Sequence, residues 1–188
     1  MPKNYVDNKK LYEAIVEYKR KCKIAEEEGK EKPRIPEYVG ACILEIATHL
    51  SKHPWFNGYS YKDDMISKGV QNVIEYFDNF DPEKTKNPFA YFTQIIYFAF
   101  QRAKKEEEKH RYGIYKYFET TMMLTSNMDL IDIGENNLQN RSVYDNITEF
   151  IEKFEKKVEE EKKRKKRTKS LTKYIENEEK NEKKKNKS

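Results

Sequence analysis

The segment that most restricts the fold lies between residues 60 and 82. Ile66, Val70, Val73, Phe77 and Phe80 follow one another at steps of four, three, four and three residues. This spacing draws a single apolar stripe along an α-helix and does not match the strict alternation of a half-buried strand. Ser60 followed by Asp63 reads as a capping box at the start of this helix. Asp81-Pro82 reads as its end, because proline disfavours helical geometry in the residue before it. Similar stripes occur upstream. Leu11, Ile15, Tyr18, Cys22 and Ala25 predict a helix over residues 8–28, closed by Gly29. Val39, Ile43, Ile46, Ala47 and Leu50 predict a second helix from Pro36 to Lys52, followed by a turn at His53-Pro54-Trp55-Phe56-Asn57-Gly58. Six glycines and six prolines are too few turn-formers for a chain of many short strands. The expected fold class is all-α.

A fourth helix carries the most information. Asn87 as N-cap and Pro88 at the first helical position form a strong start signal, and the helix is expected to reach about Lys109 or beyond. At about 100° per residue, Phe89, Phe92, Ile96, Ala99, Phe100 and Ala103 share one half of the cylinder, with Ile95 at its edge. The other half displays Gln94, Tyr97, Phe98, Gln101, Lys104 and Lys105, with Tyr91 and Arg102 on the border. Aromatic rings stack on unpaired bases, amides read base edges and cations neutralise phosphates. Taken alone, the pattern fits better with aromatics that pack against the first or second helix as ordinary core.

Charge separates the chain into two parts. Residues 151–188 hold 16 basic and 9 acidic side chains, whereas the remainder holds 22 basic and 24 acidic. The net positive charge therefore resides in a tail, read either as a solubilising extension or as a polyanion-binding one. Val143, Ile147, Phe150, Ile151, Phe154 and Val158 mark a charged helix over 141–167, while the composition of 134–140 reads as a loop. No run of 18 apolar residues exists, and Met1-Pro2-Lys3-Asn4-Tyr5 lacks an apolar signal core, so neither a membrane span nor secretion is expected. Cys22 and Cys42 suit a reducing compartment, and Met122 and Met123 are expected in a core. His49, His53 and His110 have no cysteine or carboxylate partners at metal-ligand spacing. With no phosphate loop or nucleophile elbow either, the chain is read as a non-enzyme without a cofactor.

Two stretches carry a resemblance to a known family. Asp64-Met65-Ile66-Ser67-Lys68-Gly69, followed by Val73 through Lys84 with its Asn79-Phe80-Asp81-Pro82, resembles region 2 of bacterial sigma factors. So does Phe89-Ala90-Tyr91-Phe92-Thr93-Gln94-Ile95-Ile96-Tyr97-Phe98-Ala99-Phe100-Gln101-Arg102. Within that family the chain more closely resembles the late-transcription sigma factors of T-even-like bacteriophages. The shared features are Asn4-Tyr5-Val6-Asp7-Asn8-Lys9, Phe56-Asn57-Gly58-Tyr59, and the run from Asn79 through Asn87-Pro88 to Gln94. The resemblance covers about residues 4–118 and returns near the C-terminus.

The resemblance implies three activities in the cytoplasm of a bacterial host. Asp64, Gln71, Ile74 and Glu75 would dock on the clamp helices of the largest catalytic subunit of RNA polymerase core. The fourth helix would recognise and open a short AT-rich promoter DNA element, without a second upstream element. There Tyr91 matches the family's tyrosine, Gln94 and Ile95 occupy the positions of its tryptophan pair, and Phe98 falls where a base-reading glutamine usually sits. Phe92 and Tyr97 are the candidates to restore aromatic character, with Gln101 beside them, and Arg102, Lys104, Lys105 and Lys109 would track phosphates. Finally, Ser170-Leu171-Thr172-Lys173-Tyr174-Ile175-Glu176 resembles a motif that tethers the family to the phage sliding clamp, through Leu171, Tyr174 and Ile175. The implied organisation is a region 2-like domain over 1–118, a connector over 119–150, a basic helix over 151–169 and a tail over 170–188. Two other classes remain open on the residues: a generic single-strand binder, and an interaction protein whose charged helix pairs with another chain.

Overall fold

The computed structural model describes residues 5–126 and 137–185, with side chains described for residues 5–121, 143 and 145–168. The fold is all-α. Among the described residues, five α-helices follow in order: α1 (Asn8–Glu27), α2 (Glu37–Ser51), α3 (Lys62–Glu75), α4 (Pro88–Ser126) and α5 (Asn137–Lys185). No helix among the described residues is long and apolar enough to cross a membrane. The chain divides into two compact units, Met1–Glu107 and Glu108–Ser188, and the division falls within α4.

In the first unit, the residues that set the helix ends are legible. The Asp7 carboxylate caps α1 by accepting from the N–H groups of Lys9 and Lys10 at 3.0 and 3.2 Å. Gly29 closes α1 with φ of +65°, a left-handed conformation that glycine adopts without steric cost. Its neighbour Lys30 donates to Ala25 O at 2.8 Å, and Gly29 itself donates to Glu26 O at 3.1 Å, so two orphan carbonyls of the last turn are satisfied. Asn87 caps α4 by accepting from Ala90 N at 3.0 Å. The capping box read at Ser60 and Asp63 does not form. The residue before α3 is Tyr61, no side chain caps this end, and the first turn is closed by Met65 N donating to Tyr61 O at 3.0 Å.

α3 also ends earlier than its stripe suggests. It stops at Glu75, a single 3₁₀ turn spans Phe77–Asn79, and both Phe77 and Phe80 still reach the core. Carbonyls of the segment after this break find partners on α1. Lys19 Nζ donates to Asp78 O at 3.0 Å and to Phe80 O, and Tyr12 Oη donates to Pro82 O at 3.1 Å. The core gathers Leu11, Ile15 and Tyr18 of α1, Val39, Ile43 and Ile46 of α2, Phe56, and Met65 and Val73 of α3. Phe77, Phe80, Phe92, Ile96 and Phe100 join them. The buried seam of α3 is Met65, Gly69 and Val73, one residue round from the stripe read on the sequence, so Ile66 and Val70 are only half-buried.

Gly69 explains that rotation. A Cβ at this position would stand 2.8 Å from Phe100 Cε1 and 3.1 Å from Ile96 Cγ2. α3 and α4 therefore cross closely through a residue without a side chain, against two fully buried partners.

In the second unit, the end of α4 and the start of α5 pair antiparallel. Tyr112 stacks on Phe154 at 4.5 Å, Tyr115 meets Phe150 edge-on at 5.2 Å, and Ile147 and Ile151 are buried. Lys157 pairs with Glu108 at 2.6 Å and Lys116 with Glu155 at 3.4 Å. The helix read over 141–167 thus begins at Asn137 and runs to Lys185, replacing part of the expected loop, connector and tail with helix. Its sequence has no glycine or proline and places Glu before Lys at i,i+4, as in Glu149–Lys153 and Glu159–Lys163, which favours continuous helix. The side chains of Met122 and Met123 lie outside the described residues.

The crossing makes opposite predictions for two glycines. Gly69→Ala should destabilise the first unit by about 1–3 kcal/mol, because Phe100 has no room to give way. Gly40→Ala, where a Cβ meets nothing on exposed helix, should be neutral or stabilise by up to about 1 kcal/mol. Urea unfolding of the full chain checks both, and equal effects would contradict the close crossing. Phe77→Ala should cost about 3–5 kcal/mol in the same assay.

Candidate functional site

The two faces read on α4 separate in the structure. Phe92, Ile96, Ala99, Phe100 and Ala103 are buried, and Phe89 is half-buried with its N–H donated to Asn8 Oδ1 at 3.1 Å. Opposite them, Gln94, Phe98, Arg102 and Lys105 are exposed on the first unit. Phe98 is 51% exposed, an unusual position for a phenylalanine fixed in the middle of a helix whose other side is core. Lys109 is exposed as well but belongs to the second unit.

Phe92 must be removed from the candidate contacts. Its ring is fully buried, stacked with Phe77 at 5.7 Å and packed beside Phe80 at 6.1 Å. It sits on the core half of the cylinder, where its own helical phase already placed it. Tyr91, Ile95, Tyr97, Gln101 and Lys104 form a half-buried border. Tyr91 packs on Phe80 and donates its hydroxyl to Tyr76 O at 3.2 Å; burial holds this phenol above its usual pKa, so it stays a neutral donor. Tyr97 packs edge-on against Phe56 at 5.6 Å and accepts from Gln101 Nε2 at 3.2 Å. Tyr97→Ala therefore removes packing as well as surface.

The cations of this face are placed by neighbours. Lys104 lies over the Tyr59 ring at 4.9 Å, a cation–π contact that holds the ammonium at the surface. Arg102 donates to Asn72 Oδ1, and Lys68 pairs with Glu106 at 2.6 Å, so two polar contacts span α3 and α4 beside the close crossing.

Sequence reasoning missed the contribution of the turn before α3. Tyr59 and Tyr61 lie together at 5.1 Å, and Tyr59 meets Lys104. Trp55 projects from the same turn. The available signal was aromatic density within a short turn, Trp55-Phe56-Asn57-Gly58-Tyr59-Ser60-Tyr61. Its distance along the chain from α4 hides the juxtaposition until Phe56 is seen buried between the two.

The docking candidates lie on the outside of α3. Asp64, Gln71 and Glu75 are exposed and fall on one face by helical phase, while Ile74 is displaced from them and is 53% exposed. Leu171, Tyr174 and Ile175 fall within α5, and their side chains lie outside the described residues. Compared with known proteins, the chain matches no family model, and no curated protein matches it.

The two-faced helix is checked by a pair of truncations. Phe92→Ala should cost about 3–5 kcal/mol of stability. Phe98→Ala should stay within about 0.5 kcal/mol of the parent. Thermal unfolding of both variants tests this, and a large loss in Phe98→Ala would place that ring in the core.

Proposed function

We propose that the chain is a bacteriophage late-gene sigma factor, which binds host RNA polymerase core and directs opening of a short AT-rich promoter element. The observation that carries this reading is the outer face of α4, where an exposed aromatic, two amides and several cations occupy a helix fixed by its buried opposite side. The resemblance of residues 64–84 and 89–102 to sigma region 2 gives that face its substrate, unpaired promoter DNA.

On this reading Phe98 offers a stacking surface to an extruded base, and Gln94 and Gln101 lie beside it to contact base edges. Tyr91, held by its bond to Tyr76 O, borders the face. Arg102, Lys104 and Lys105 neutralise phosphates of the flanking duplex, releasing counterions. The AT-rich preference has a physical source besides contact, since flexible and weakly stacked A·T steps cost less to open. α3 presents Asp64, Gln71, Ile74 and Glu75 to the polymerase clamp helices, with Ile74 as the apolar member of the patch. The segment containing Leu171, Tyr174 and Ile175 is the proposed sliding-clamp tether.

Run-off transcription with purified bacterial core enzyme tests the proposal. The template carries one AT-rich octamer, either as duplex or pre-melted, and no upstream element. Initiation at the octamer that depends on this chain is the expected result. No initiation on either template, together with no co-elution with core enzyme, would refute the reading.

A further inference from the structure

Trp55 is the chain's only tryptophan, and it is 62% exposed. A large indole left in water on a fixed element is a candidate contact, since such rings contribute strongly to recognition when covered. The turn that carries it is well fixed. Trp55 N–H donates to His53 Nδ1 at 3.4 Å, and the two rings meet edge-on at 4.9 Å. Phe56 N and Asn57 N both donate to His53 O, at 2.8 and 3.0 Å, and Gly58 reverses the chain with φ of +84°.

The next residue ties this turn to α4. Phe56 is buried, with its ring edge-on to Tyr97 at 5.6 Å and to Phe100 at 5.2 Å. Trp55 is thus anchored one residue away from a side chain wedged against the border of α4's outer face. On α4 itself, Gln94 and Ile95 are not aromatic, and Phe92 is buried. Phe98 is therefore the most exposed ring of that face.

We infer that Trp55 stacks on a base at the edge of the opened DNA, acting from the turn before α3 as an aromatic contact for the strand held by α4. The ligand is an unpaired base of single-stranded DNA, chosen over a protein surface because Tyr59, four residues after Trp55 in the same turn, carries the Lys104 ammonium as a partner for a phosphate. This inference rests on the promoter-opening reading.

The test compares the parent chain, Trp55→Ala and Trp55→Phe, each with core enzyme, on duplex and pre-melted octamer templates. Open-complex formation on duplex should fall about tenfold for Trp55→Ala and stay within about threefold for Trp55→Phe, which keeps a stacking ring. On the pre-melted template all three should agree within about twofold, because reannealing no longer competes. All three should melt at the same temperature. With 5-iododeoxyuridine placed in turn at each thymidine of the octamer, illumination should crosslink one position to the peptide containing Trp55. Trp55→Ala opening duplex as well as the parent would overturn the inference and leave the promoter-opening reading standing. Equal loss on both templates, or loss of co-elution with core enzyme, would assign Trp55 to a protein contact and overturn it as well. Failure of the parent on both templates would overturn the promoter-opening reading and the role of Trp55 with it.

Discussion

The contact on which the first unit depends is the crossing of α3 and α4 at Gly69. A methyl group there would stand 2.8 Å from the Phe100 ring. The absence of that methyl lets the two helices approach until Ile96 and Phe100 fill the groove beside Met65 and Val73. The crossing sets the rotation of both helices at once. For α3 it turns Asp64, Gln71 and Glu75 outward. For α4 it commits Phe92, Ile96 and Phe100 inward, which leaves Gln94, Phe98, Arg102 and Lys105 facing solvent. The proposed polymerase face and the proposed DNA face are thus consequences of one close approach, reinforced by Lys68–Glu106 and by Arg102 on Asn72.

The second constraint is the return from α3 to α4. The segment after Glu75 leaves the ordinary helix ladder, and its carbonyls at Asp78, Phe80 and Pro82 need partners. Lys19 and Tyr12 supply them from α1, so the loop is held without regular structure. Asp81 turns back on the loop and accepts from Glu83 N at 3.0 Å, which keeps its carboxyl below the usual carboxylate range. The start of α4 is thereby fixed, with Asn87 as cap and Pro88 buried.

Much of this fold was legible because it rests on local chemistry. The caps at Gly29 and Asn87 and the core half of α4 follow from residue type and helical spacing. What escaped depended on contacts between distant segments. The seam of α3 runs through Met65 and Gly69 rather than Ile66 and Val70, because close approach, not hydrophobicity, decides which side meets α4. Phe92 lay on the core side by its own phase, yet similarity to a family pattern drew it into the contact set. Tyr59 and Trp55 were invisible as site residues because Phe56 brings their turn to α4 only in three dimensions. The extent of α5 was underread because a lysine run looks like a solvated tail, although Glu–Lys spacing and the lack of glycine and proline favour helix.

The central claim is that α4's outer face engages unpaired promoter DNA as part of a polymerase complex and not as an independent binder. The most direct measurement is the affinity of the full chain for a fork-junction oligonucleotide carrying the AT-rich octamer, taken with and without bacterial core enzyme at fixed salt. The account predicts that octamer-specific binding requires both the chain and core enzyme, and that neither alone distinguishes the octamer from a scrambled sequence. Equal binding without core enzyme would contradict it and make the chain a generic single-strand binder.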